Sequence, residues 1–130
     1  MSHFTKIKTK LYDLKILKKS LSDLKLAWST EEQTVKGYNG QQYQAEIVIK
    51  QDNNFDLGFK WNGSEYEFVA DLMYWSQPQS IDKFLNQITQ RYAYNSIVQM
   101  SEQQNFQFIQ AENTEEGSIR LVLRRYAEAS

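Results

Sequence analysis

Hydrophobic and polar positions alternate from the start of the chain. Between His3 and Leu11, Thr5, Ile7, Thr9 and Leu11 fall on one face, with Lys6, Lys8 and Lys10 on the other. That two-residue period predicts a half-buried strand. The period then changes. After Asp13, a good N-cap, Leu14, Leu17, Leu21 and Leu24 recur at three- and four-residue steps, predicting a helix that lies on a core. Thr34–Tyr38 and a turn at Asn39-Gly40 follow. Tyr43, Ala45, Ile47 and Ile49 then alternate with Gln44, Glu46, Val48 and Lys50, which predicts a strand. After a turn at Asp52-Asn53-Asn54, a strand is predicted through Phe55, Leu57, Phe59 and Trp61. Asn62-Gly63 suits a type I′ hairpin, and Glu65–Ala70 would be its partner strand. Ser80, behind Pro78, is a plausible N-cap for a second amphipathic helix marked by Ile81, Phe84, Leu85, Ile88 and Tyr92. Its apolar phase shifts near Ala93–Asn95 and the helix runs to about Gln104, with Asn105 suited to the left-handed residue that ends it. Phe106–Glu112, a turn at Thr114–Gly117 and Ser118–Tyr126 read as a closing pair of strands.

The order is strand, helix, three or four strands, helix, two strands. Hairpins pair antiparallel, and two amphipathic helices need a sheet face to cover. The expected fold is therefore α+β. It has an antiparallel meander sheet of about six to seven strands with two amphipathic helices packed on one face. At 130 residues, without repeat or linker, the chain reads as a single domain over 1–130. With 41% hydrophobic and 14% aromatic residues, it has the material for a core without metals or disulfides.

Composition narrows the chemistry. The chain has no cysteine, and its one histidine is His3. Thiolate nucleophiles, chain-held iron–sulfur clusters, disulfides and zinc sites of nitrogen and sulfur ligands are excluded. A serine triad would have to use His3, which is read more simply as the start of a strand. No apolar run approaches a membrane span and no apolar segment marks a secretory signal, so an intracellular setting is expected, with peripheral membrane contact left open. Net charge is −1 but uneven. Residues 1–25 hold seven lysines against Asp13 and Asp23, while the rest holds 8 basic and 14 acidic residues. The basic end reads either as the solvated faces of one strand and one helix, or as a docking patch for an acidic protein or anionic surface.

Several motifs together carry a family resemblance. They are Met1-Ser2-His3-Phe4 leading into Lys6-Ile7-Lys8-Thr9, Gln44-Ala45-Glu46-Ile47-Val48-Ile49, Asp56-Leu57-Gly58-Phe59 and Trp61-Asn62-Gly63. Further on come Tyr66-Glu67-Phe68-Val69-Ala70-Asp71, Gln90-Arg91-Tyr92-Ala93-Tyr94 and Gly117-Ser118-Ile119-Arg120-Leu121-Val122-Leu123. In order and over essentially the whole chain, this resembles the hypothetical chloroplast reading-frame thirty-five family, a domain-of-unknown-function family of cyanobacteria and algal plastids. The resemblance implies an accessory role in photosynthesis, in the plastid stroma if plastid-encoded and otherwise in the cyanobacterial cytoplasm. It implies no activity, cofactor or catalytic residues.

The residues themselves offer a partner surface more readily than a reaction centre. The aromatic connection Asp71–Gln79, with Tyr74 and Trp75, suits a protein anchor. Arg91 and Tyr94 on the second helix, and Lys15, Lys18 and Lys19 on the first, are the other candidates. Against these stands plain packing and ion pairing. An alternative is a small enzyme using Asp or Glu with Arg91 or Arg120 in a sheet–helix cleft. Asp56, Glu65, Glu67 and Asp71 surround the central hairpin, where alternation puts Glu65 and Glu67 on the wet face. An RNA-binding module using Arg120, Arg124 and Arg125 with strand aromatics is disfavoured by a sequence pI near 5.8. No metal, cofactor or nucleic acid is expected, a protein partner is, and the oligomeric state is undetermined.

Overall fold

The computed structural model describes residues 4–103 and, as backbone, the strands Phe106–Asn113 and Ile119–Arg125. His3, Asn105, the turn at Thr114–Gly117 and the side chains of Arg120, Arg124 and Arg125 lie outside the described residues.

The fold is α+β, and its strands divide among three antiparallel sheets. The strands are Phe4–Lys8 (β1), Trp28–Ser29 (β2), Thr34–Lys36 (β3), Gln42–Gln44 (β4), Ile47–Lys50 (β5), Asp56–Trp61 (β6), Tyr66–Asp71 (β7), Phe106–Asn113 (β8) and Ile119–Arg125 (β9). The main sheet has five strands in the order β1-β7-β6-β5-β2; β3 pairs β4, and β8 pairs β9. The helices are Leu14–Asp23 (α1) and Ile81–Gln103 (α2).

Both predicted caps form. The Asp13 carboxylate accepts from the Ile16 N–H at 3.1 Å, and the Ser80 hydroxyl accepts from the Lys83 N–H at 3.3 Å. Each satisfies a donor left orphaned in a first helical turn. Both helices cover one face of the main sheet. Leu17 and Leu21 of α1 and Phe84, Ile88 and Tyr92 of α2 bury against Ile47, Ile49, Leu57, Phe59, Tyr66, Phe68 and Ala70.

The opposite face is partly covered by the β3–β4 hairpin, where Val35, Ala45 and Val48 form a smaller core flanked by Phe4 and Tyr43. This differs from the single strand expected over residues 43–50. The chain breaks at Ala45-Glu46, so Ala45 and Val48 serve one face and Ile47 and Ile49 the other. Val48, read as a position on the polar face, is fully buried. The β6–β7 hairpin forms as expected, but its turn differs. Four residues separate Trp61 from Tyr66, and Gly63 but not Asn62 has positive φ. The Asn62 side chain instead accepts from the N–H groups of Ser64 and Glu65, each at 3.0 Å. That local side-chain bond supplies what a two-residue turn would have supplied.

Candidate protein interface

The predicted surface residues fall into two groups. The first is the connection that leaves β7. Asp71 ends the strand buried, and its carboxylate accepts from the Met73 N–H at 3.1 Å, starting a single 3₁₀ turn over Leu72–Tyr74. This turn is fastened to the 51–55 turn by amides. Buried Gln51 donates through Nε2 to the carbonyls of Phe55 (3.1 Å) and Tyr74 (3.2 Å), and its Oε1 accepts from the Ser76 N–H at 2.8 Å. Asn53 donates to the Tyr74 carbonyl at 2.8 Å. Tyr74 lies in the middle of a pile of near-parallel rings, 4.2 Å from Phe55 and 5.4 Å from Tyr38 between centroids. Trp75 turns the other way. Its indole meets Phe84 edge-on at 5.1 Å and its Nε1 donates to the Gln79 carbonyl at 2.9 Å. Packing thus absorbs much of Trp75, while the exposed apolar surface passes to its neighbours: Met73 is 69% exposed, Tyr38 46% and Leu72 43%.

The sequence points to this segment but not to Tyr38, Leu72 or Met73 as its exposed members. The signal was present, since Leu72-Met73 follows the strand without a polar residue between. Its meaning depends on Tyr38, more than thirty residues away, closing the ring pile.

The second group sits on the paired helices. Asp23, at the end of α1, accepts from Arg91 Nε (2.9 Å) and Asn95 Nδ2 (3.0 Å), and Asn95 also donates to the Ser20 hydroxyl at 3.0 Å. Burial opposes ionisation of Asp23, but these hydrogen bonds and the charges of Arg91 and Lys19 outweigh it and hold the carboxyl below its ordinary range. The Arg91 guanidinium lies 4.4 Å from the Tyr94 ring centroid. Arg91 and Asp23 are therefore committed to each other, and the sharing of Asp23 explains why the apolar phase of α2 shifts where Asn95 is buried. Beyond this knot the helices part around a groove of about 590 Å³ lined by Lys15, Ile16, Lys19, Asn95, Val98, Gln99, Glu102 and Gln103. Lys18 points elsewhere, 5.9 Å over the Trp28 ring.

The enzyme reading needs a perturbed carboxyl beside an arginine. The carboxyl beside Arg91 is stabilised as the anion. Among the described residues, the carboxyl whose pKa is raised is Asp56, which lies on β6 and takes its hydrogen bond from the Lys36 N–H at 2.8 Å. Among the described residues, no group of three or more Asp, Glu, His or Cys is placed to hold a metal ion, and no helix is long and apolar enough to cross a membrane.

The family model described as a protein of unknown function, DUF1257, matches residues 20–122. Over 126 residues the chain is 52% identical to an uncharacterized protein ycf35 of Guillardia theta, covering 97% of this chain and 98% of that one. Proteins of the same name from Pyropia yezoensis and Cyanophora paradoxa are 43% and 40% identical with the same coverage. No solved structure matches the chain. The resemblance drawn from the motifs is thus met along the whole length, and the chain belongs to the family of the hypothetical chloroplast reading frame 35, whose function is unknown.

Proposed function

We propose that the protein is a non-catalytic adaptor of the photosynthetic machinery, working in the plastid stroma or the cyanobacterial cytoplasm and acting through protein contacts. One observation carries the reading: Tyr38, Leu72 and Met73 are exposed, yet stand on a platform fixed by stacked rings and by the Gln51 and Asn53 amides. Apolar side chains left in water on a backbone already held in place suit a binding hot spot. Binding then loses little conformational entropy, and each side chain adds its desolvation to the affinity. Methionine suits such a place because its unbranched thioether adapts to a partner's relief. Membership of a chloroplast reading-frame family and a sequence without cysteine support the same direction.

The test is affinity capture with the tagged full chain from soluble and membrane fractions of native cells, with and without crosslinking. A photosynthetic complex or one of its assembly factors should be recovered by the wild type and lost with the double variant Leu72→Ser, Met73→Ser. Recovery of neither, or equal recovery by both proteins, removes the reading.

A further inference from the structure

We infer that the groove between α1 and the second half of α2 is a second docking site, independent of the aromatic platform, and that its occupant is an acidic amphipathic segment of a partner protein. Lys15 and Lys19 stand one turn apart on the α1 wall, ~5–6 Å between Cβ atoms. Both are exposed, and Lys15 makes no ion pair or hydrogen bond among the described residues. Among the described residues Lys19 reaches only Asp23, at 3.5 Å, with its own side chain 65% exposed; such a pair contributes little and its lysine is cheaply redirected. Asp23 keeps Arg91 and Asn95 when Lys19 leaves.

The floor is different in kind. Ile16 and Val98 are half-buried apolar side chains facing the groove from the two helices. The far wall, from α2, carries Gln99, Glu102 and Gln103. Cations on one wall, an apolar floor and amides with a carboxylate on the other describe the complement of one peptide pattern. It has two carboxylates spaced to meet Lys15 and Lys19, an apolar side chain between the helices, and amide or basic groups toward Glu102. A flat anionic membrane would use the lysines but not the concave floor, so the groove favours a protein segment. Complementary charge of this kind sets partner choice and encounter rate more than raw affinity.

The experiment places the photoreactive residue p-benzoylphenylalanine at exposed Gln99 in the full chain, irradiates it in native cell extract, and reads the crosslinked peptide by mass spectrometry. The expected product is a segment of another protein with clustered Asp or Glu around an apolar residue. Its yield should fall at least fivefold in Lys15→Glu, Lys19→Glu and stay within twofold in Lys6→Glu, Lys8→Glu. A crosslink to a segment without acidic residues, to lipid, to this chain itself or to nothing overturns the inference, as does a yield indifferent to Lys15 and Lys19. The same probe at Leu72 separates this from the adaptor reading. Product at Leu72 without product at Gln99 leaves the platform standing and removes the groove, and the reverse removes the platform alone.

Discussion

At the scale of single residues, the structure rests on polar groups that each serve two elements. The Tyr92 hydroxyl, buried on α2, accepts from the N–H groups of Tyr12 (3.3 Å) and Asp13 (2.9 Å), the two residues before α1. Tyr92→Phe keeps the ring and strands those donors, so it should cost about 1–2 kcal/mol, read as a lower urea midpoint at unchanged m-value. Asp56 behaves oppositely. It is buried, and burial raises its pKa against the opposing effect of the Lys36 N–H and the nearby lysines. A carboxyl with a raised folded-state pKa contributes stability below the unfolded value of 3.8, and that contribution is lost as pH rises through the folded value. At neutral pH the buried charge is therefore a net cost. Asp56→Asn keeps an acceptor for Lys36 and removes the charge. It should be at least as stable as wild type at pH 7, with the advantage shrinking as pH falls through the folded-state pKa and gone below the unfolded value of 3.8; denaturation at pH 7 and below 3.8 checks this. Neither role is legible in sequence. Tyr92 reads there as one more apolar position on a helix stripe, and Asp56 as one more surface carboxylate, because the partners that define them come from remote elements.

At the scale of elements, periodicity located nearly every strand and helix and both helix caps. It failed where the chain changes sheets. The alternation through residues 43–50 is continuous, but Gly58 decides the outcome. On β6, a Cβ built on Gly58 would sit 2.4 Å from Val35 Cγ2 and 3.0 Å from Ala45 Cβ. The missing side chain lets the β3–β4 hairpin lie directly on the sheet, which turns one expected strand into two. Gly58→Ala should push that hairpin away and destabilise the fold by about 1–3 kcal/mol, with earlier hydrogen exchange across β3 and β4 than across β6 and β7. Equal loss of protection everywhere would deny the hairpin its separate dependence on this contact. The two-residue β2 escaped notice because so short a strand shows no period, and the pairing of β1 with β7 is a long-range choice that alternation does not encode.

At the scale of the whole molecule, the polar interior ties elements together and the unusual features lie outside. Of the candidate residues read from sequence, Tyr74 lies in the platform at the end of β7 and Lys15 and Lys19 line the groove between the helices, while Lys18 turns to Trp28 and Arg91 and Trp75 are given over largely to structure. Sequence could name the segments, since aromatic density and the lysine spacing on α1 are local facts. It could not show that Tyr38 and Tyr74 share a stack, or that α2 supplies the groove's other wall. On the adaptor reading, the surface at Tyr38, Leu72 and Met73 is the working part of the protein. The most direct measurement is quantitative capture from native extract by wild type and by Leu72→Ser, Met73→Ser, with thermal unfolding of both proteins in parallel. Unfolding midpoints should agree within about 2 °C, as suits surface substitutions, and the captured photosynthetic component should fall at least tenfold. Undiminished capture by the folded double variant would contradict the adaptor reading.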